Sequence, residues 1–380
     1  MHVDKCPIKM KLYVSLLVSF NLFLISCTRK LPHVVPDQRM EQIYKAVKTP
    51  YKYGLVLVSD SNAYKIDCPT LFRINNKWIM TYIAFDGRGY ETWLAESDNL
   101  THWIRKGKIL EFSDSTEWDQ NQKAGYPSLI EYEWEGDYSI NTYDHKYWMS
   151  YFGGNSTGYE KGLLSIGLAF TDQDPSIARE WNRMDHPVLK STDANAQWYD
   201  NSTLYKSCII EDKEKLTGFP FVMFYNARGD SIKPERGAER ISMALSQDMI
   251  HWKRYENNPI INHHTGICGD AVIQKIDDLY VMFYFGAFWP DQDAAAFNRF
   301  ACSYDLIHWT DWEGPNLIEP SEQYDALFAH KSYVIKYREV VYHFYNAVDR
   351  SGNRGIALAT SKDLGKSTLK FSTHEESEIK

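Results

Sequence analysis

Two sets of positions carry most of the chemistry in this chain. Five similar segments open on Asp67, Gly125, Asp200, Gly269 and His330, and continue with Cys68, Tyr126, Asn201, Asp270 and Lys331. The carboxylates Asp67, Asp200 and Asp270 and the His330–Lys331 pair therefore share one repeated register. A single strand-initial aspartate reads as turn chemistry; recurrence in register reads as a site. The second set lies in loops one strand further on: Asp86-Gly-Arg88, Phe152-Gly-Gly-Asn155, Asn226-Ala-Arg228 and Asn346-Ala-Val-Asp349. Glycines there let a ligand approach the backbone. Asn, Asp and Arg offer paired hydrogen bonds to hydroxyls. Trp289, between Phe288 and Pro290, reads as a stacking platform or as a core residue between repeats, and Arg240, Arg299 and Arg354, recurring at the start of the third strands, as ion-pair partners between repeats or as substrate contacts.

The elements that position these residues form a repeat. Each copy has a short apolar strand, a second strand ending in tyrosine, and a third ending in a Ser/Thr–x–Asp turn. The tyrosines are Tyr82, Tyr151, Tyr225, Tyr284 and Tyr345. Three of the turns continue into a His-Trp pair, at Trp103, Trp252 and Trp309, whose tryptophans are expected to pack between repeats. Fourth strands are legible at Gly107–Leu110, Pro187–Leu189, Pro259–Ile261 and Pro315–Ile318, and the last repeat lacks one. A matching segment, Gly54–Leu57, precedes the first repeat. A missing last strand and a surplus leading strand are what a closed ring requires, because closure removes the open sheet edge. The expected fold is all-β, a five-bladed β-propeller over residues 51–365, with the N-terminal strand completing blade five. In a propeller the first strand of each blade lines the central channel, so one face collects the repeated register.

Residues 1–27 read as an export signal. Lys9 and Lys11 precede an apolar run, Leu12 to Ile25, that is too short to span a bilayer. It ends Leu24-Ile25-Ser26-Cys27, similar to a bacterial lipobox, which makes Cys27 the lipidated first residue of the mature chain. Residues 28–50 then read as a tether and 366–380 as a polar, partly disordered tail. The implied location is the envelope of a Gram-negative bacterium, on the periplasmic face or the outer membrane, with membrane contact through the lipid alone. The net charge of −8 comes without a basic stripe, which argues against nucleic acid as a partner. Aromatic residues make up 15%, which suits strands and sugar stacking alike. Cys68, Cys208, Cys268 and Cys302 lack metal-ligand or paired spacing and read as small buried hydrophobes.

The motifs Ile66-Asp67-Cys-Pro69, Asp200, the acidic residue at the fourth register and Ala329-His330 resemble those of the five-bladed glycoside hydrolases. Families 43 and 117 are nearest in pattern, with families 32, 62, 68 and 130 further off. The resemblance covers about residues 54–365 and implies hydrolysis of a plant, algal or host oligosaccharide. It makes Asp67 the base that activates water and Asp200 the residue that tunes the acid. Family 43 places its glutamic acid where this chain has Gly269, so the acid falls to Asp270, to Glu239 or to His330. A residue one step along a strand faces the other way unless a bulge re-aims it. Such carboxyl pairs, about 6.5–9.5 Å apart, hydrolyse with inversion. Asp86, Arg88, Tyr126, Asn155, Asn201, Arg228, Trp289, His330 and Lys331 are the expected substrate contacts. No cofactor is required, although the resemblance implies a central calcium near His330, bound through water. Two alternatives stay open: a glycan-binding propeller without catalysis, motivated by Gly269, and a family 130-like phosphorylase using Lys331, Arg88 and Arg228 for phosphate.

Overall fold

The computed structural model describes residues 31–59, 64–114, 117–229 and 238–372. Of the first compact unit, Met1–Leu31, only Leu31 is described, so the export signal and Cys27 lie outside the described residues. From Pro32 onward the described residues form part of a second compact unit.

That unit is all-β apart from helix α1 (Asp37–Val47) and one 3-10 turn. After α1 and β1 (Tyr51–Val58) come β2 (Lys65–Ile74), β3 (Lys77–Phe85), β4 (Tyr90–Ser97) and β5 (Ile104–Leu110), the first repeat. The second is β6 (Gln122–Pro127), β7 (Tyr147–Gly154), β8 (Ser165–Thr171) and β9 (Asn182–Arg183). The third is β10 (Thr203–Glu211), β11 (Phe221–Arg228), β12 (Glu239–Ser246) and β13 (Trp252–Arg254). The fourth is β14 (Ile267–Ile276), β15 (Leu279–Ala287), β16 (Ala296–Ser303) and β17 (Thr310–Asp311). The last is β18 (Phe328–Tyr337), β19 (Val340–Val348) and β20 (Arg354–Thr360).

All five expected tyrosine-ending strands are present, as β3, β7, β11, β15 and β19. The leading segment Gly54–Leu57 lies in β1, which pairs antiparallel with β20 and completes the last repeat's sheet. The sheets number four rather than five among the described residues, because repeats three and four merge into one of eight strands. A single parallel bridge, Glu239 to Ile267, joins them. The first strands touch in sequence: β6 with β10, β10 with β14, β14 with β18, and β18 with β2.

The turn chemistry explains why the repeats end alike. Asp248 Oδ1 accepts the backbone N–H groups of Ile250 and His251 at 3.0 and 2.8 Å, and Ser246 Oγ accepts that of Asp248 at 3.2 Å. Asp305 and Ser303 repeat this arrangement, and Asn99 replaces the aspartate in the first repeat. The tryptophans that follow pack between repeats, Trp103 on Phe344 and Trp309 on Phe224.

Two segments are more ordered than their composition implies. Within 28–50, α1 buries Met40, Ile43 and Val47 against Leu279, Val281 and Phe300. Its Arg39 reaches Asp277 and Asp278 at 3.0 and 2.8 Å. The stretch after residue 365 runs back along β1, where Ser367 N–H donates to Tyr53 O at 2.7 Å and Phe371 packs near Leu55. Its few apolar groups gave no periodic signal, yet backbone bonding to a free sheet edge needs none.

Candidate active site

A β-bulge recurs at the start of four first strands. The register shifts between Asp67 and Thr70, Leu204 and Ser207, Gly269 and Val272, and His330 and Tyr333. Within three of them Cys68, Asp270 and Lys331 take positive φ of 51°, 58° and 57°. A non-glycine residue held there costs about 1–3 kcal/mol, a strain typical of functional sites. The bulges turn Cys68, Lys206, Asp270 and Lys331 toward a shared cavity of about 250 Å³, to which all five repeats contribute.

The bulge resolves the fourth register. A side chain at Gly269 would fall 2.3 Å from Asn226 Nδ2. That close approach lets Asn226 hold Asp270 twice, donating to Oδ1 at 3.0 Å and accepting the Asp270 N–H at 2.7 Å. The Cys68 thiol donates to Asp270 Oδ2 at 3.3 Å, with the Lys206 ammonium 3.8 Å away. Glycine at 269 is thus the condition for presenting an acid at 270.

The carboxyl groups in the cavity wall are Glu160, Glu239 and Asp270. Glu239 opens β12, fixed by its N–H donating to Gly266 O at 3.0 Å. Burial, then the neighbouring Glu160, push its carboxyl up to about 8, against a smaller opposing pull from Arg228. Glu160 sits in the β7–β8 loop, and burial raises its pKa while Lys331 opposes. Neither glutamate has an ion-pair partner among the described residues.

Asp67 is fully buried and does not line the cavity; it lies behind the groups that do. Its Oδ2 accepts from Lys331 Nζ and Arg354 Nη1, both at 2.9 Å, and its Oδ1 accepts the Cys68 N–H at 3.0 Å. Burial works against its charge, but Lys331 and Arg354 outweigh burial and hold the carboxyl well below the usual range. Lys331 in turn stays charged: burial is the largest single influence and opposes the charge, but Asp67 and its other acidic neighbours, Asp270 among them, together outweigh it. His330 is driven down to about 3 by burial and by Lys331, which leaves it neutral.

Asp200 is placed elsewhere. The bulge aligns Tyr205, not Asn201, with Cys68, Asp270 and Lys331, because the third strand begins later than its sequence register implies. Asp200 is buried outside the cavity, accepting from Tyr225 Oη at 2.9 Å and Arg254 Nε at 2.6 Å. The arrangement recurs: Tyr151 with Asp119 and Arg183, Tyr345 with Asp325 and Lys52. In each case the repeat tyrosine meets an aspartate three residues ahead of a first strand and a cation from the fourth strand. Asp200 therefore belongs to a latch that recurs in three of the five repeats.

Of the expected contacts, Tyr126, His330 and Lys331 line the cavity, whereas Asp86, Arg88, Asn155, Asn201, Arg228 and Trp289 do not. Asp86 Oδ1 caps its own loop through the Arg88 N–H at 2.9 Å. Arg88 O accepts the Gly158 N–H at 2.7 Å, and Asn155 O accepts Asn121 Nδ2 at 2.6 Å, so these residues brace the loop that carries Glu160. Asn201 is exposed beside the latch. Arg228 pairs in register with Glu239 and stacks on Tyr205. Trp289 is buried, stacked on His263 at 3.6 Å. The aromatic rim is instead Tyr159, Phe328 and the exposed Phe288. Glu160, Tyr159 and Lys206 carried no repeat signal; they sit in a loop with no counterpart and inside a misregistered strand. Arg354 recurred in the sequence, but its approach to Asp67 depends on β20 of the last repeat packing against β2 of the first.

A calcium near His330 does not fit these groups. Calcium takes six to eight oxygens, usually with carboxylates. The carboxylate nearest in sequence register, Asp67, is spent on two cations, and Lys331 adjoins the imidazole. Among the described residues the one cluster spaced for a metal is His33, Asp305 and His308, none of which lines the cavity.

No family model matches the sequence, and no curated protein matches it. Solved structures do. A protein described as BT0996, in a complex with RGII, is 52% identical over 89% of the present sequence and 99% of its own, with a TM-score of 0.87. A protein described as a glycoside hydrolase matches with the same figures. A family 117 glycoside hydrolase of Zobellia galactanivorans is 12% identical over 86% of the present sequence and 96% of its own, at a TM-score of 0.57, which speaks to fold. The architecture is that of the all-β propeller glycoside hydrolases. At 52% identity across nearly a whole relative, this protein belongs to the glycoside hydrolases.

Proposed function

We propose that this protein hydrolyses an O-glycosidic bond of an oligosaccharide, with Glu239 as general acid and Glu160 as the carboxylate that activates water. The supporting observation is the pair itself. Two glutamates face the cavity beside Asp270; Glu239 is pushed up to about 8 and Glu160 is raised as well, with Lys331 opposing both. A carboxyl raised to about 8 keeps its proton at neutral pH and can act as an acid. Glu239 protonates the leaving oxygen, and Glu160 draws a proton from water attacking the anomeric carbon. Asp270, held by Asn226, and the Lys331–Arg354 pair, held by Asp67, offer hydrogen bonds to sugar hydroxyls. The two glutamates come from consecutive repeats, and their separation decides between direct displacement with inversion and a covalent course. A separation of about 6.5–9.5 Å belongs to that course, about 5–5.5 Å to a covalent one. Proton NMR of the first-formed anomer reads the outcome, and retention would make Glu160 the nucleophile.

The fold proposed for this activity is a five-bladed propeller, supported by the sequence of first-strand contacts from β6 round to β2 and by β1 completing the last sheet. The relative in complex with RGII supports a carbohydrate substrate here. Hydrolysis of an oligosaccharide panel that includes RGII tests the reading. Loss of turnover in both Glu239→Gln and Glu160→Gln is expected. Binding without cleavage by the unmodified protein would replace it with a glycan-binding role, and a phosphate requirement with phosphorolysis. Lys331 and Arg354 already share Asp67, which speaks against a phosphate pocket. Lipidation at Cys27 and an envelope location are proposed from the sequence; Cys27→Ser should move the protein from the membrane to the soluble fraction.

A further inference from the structure

Beneath the active-site cavity, the first strands of all five repeats enclose a second, much smaller one of about 30 Å³. Tyr126 and Lys206 form the wall between the two. Five polar atoms on residues of its lining, each on a side chain more than nine-tenths buried, have no hydrogen-bond partner: Thr70 Oγ1, Tyr126 Oη, Lys206 Nζ, Ser207 Oγ and Gln274 Oε1. Buried polar groups are seldom left unpaired unless an ion or water satisfies them. Three hydroxyls and one ammonium can all donate, and Gln274 Oε1 can accept from a hydroxyl. Asp270 Oδ2, 3.8 Å from Lys206 Nζ, is beyond hydrogen-bond reach and already accepts from Cys68. The one carboxylate in the wall, Glu131, is ion-paired with Lys213 at 2.7 Å.

We propose that this chamber binds one halide-sized anion, with Lys206 supplying the charge and the hydroxyls of Thr70, Tyr126 and Ser207 the remaining donors. The volume admits a chloride or a water or two, and no sugar. The donor set opposes a cation, since calcium would face an ammonium and lack a free carboxylate. Occupancy would fix Lys206 and Tyr126 from below, so it stiffens the floor of the cavity above. The inference does not depend on the glycosidase reading, because its primary readouts need no substrate.

The test uses the whole protein. Crystals soaked in bromide should show an anomalous peak in the chamber next to Lys206 Nζ. In solution, chloride should raise Tm saturably by about 2–5 °C over gluconate at matched ionic strength. Thr70→Val and Ser207→Ala, which remove donors with little change of volume, should each shift the half-saturating chloride concentration upward at least tenfold. Lys206→Met should abolish the response. If Lys206→Met fails to fold, the two hydroxyl variants and the anomalous map still decide. Water density without an anomalous peak, equal Tm in chloride and gluconate, or stabilisation by calcium reversed by a chelator would each overturn the proposal.

Discussion

Replacing Glu239 with glutamine keeps the side chain's shape and removes its proton equilibrium. In the folded protein that carboxyl titrates at about 8, against 4.5 for an ordinary glutamate. At about 1.4 kcal/mol per pH unit, the gap amounts to roughly 5 kcal/mol of preference for the neutral acid. Glu239 is only part-buried, and solvent relaxation brings the figure to roughly 2–3 kcal/mol. The sign follows from which state holds the proton. Below pH 4.5 both folded and unfolded chains are protonated and the carboxyl contributes nothing. Between 4.5 and 8 the unfolded chain ionises first, so the wild type loses stability relative to the variant; above 8 the difference levels off. Urea denaturation at pH 4, 6 and 9 should therefore show Glu239→Gln gaining roughly 2–3 kcal/mol on the wild type across that span. The same proton is the one given to the leaving oxygen, so wild-type kcat/KM should fall above pH 8. The variant should lose about 10²–10⁴ in rate on a natural glycoside and far less on a nitrophenyl glycoside, whose leaving group needs no acid. Parallel stability curves, or an alkaline limb that survives in the variant, would refute the assignment.

Glu160→Gln removes the like charge that helps raise Glu239. The alkaline limb of kcat/KM should move down by about 1 pH unit, and the loss of rate should be similar for good and poor leaving groups. Asp67→Asn leaves Lys331 and Arg354 without their shared counter-charge. Chemical denaturation should show a loss of about 3–5 kcal/mol, with KM rising more than kcat falls. Asp200→Asn opens the Tyr225–Arg254 latch and should cost about 3 kcal/mol of stability. Its pH–rate profile should stay unchanged, which separates a latch from an acid-tuning residue.

The repeats were legible because each strand obeys a period and each turn needs a particular residue at its capping position. The pairing of Gly54–Leu57 with the last repeat was legible as well, since that repeat lacks a fourth strand and the leading segment matches one. The site was legible only in part. Asp270 and Lys331 were found by register, but what they touch depends on a bulge, which is a backbone event without a fixed sequence signature. Asp200 drew attention because the third first strand starts later than its sequence register implies, so a latch aspartate ahead of β10 falls in line with Asp67 inside β2. Only the partner, a tyrosine hydroxyl and a fourth-strand cation, tells them apart. Glu160 was invisible because its loop belongs to one repeat alone, and repetition was the signal being read.

The strand β1 has a consequence for how the protein is made. Its partner β20 is synthesised about three hundred residues later, so β1 emerges first and waits longest with both edges unpaired. Ser367 and its neighbours, which bind β1 after β20, arrive later still. Four repeats can pair their own strands as they appear, while the last sheet waits for the final segment to emerge. A ribosome-stalled chain ending before residue 354 should hence expose one sticky strand near its N-terminus. This makes the closing sheet the point at which a chaperone matters most.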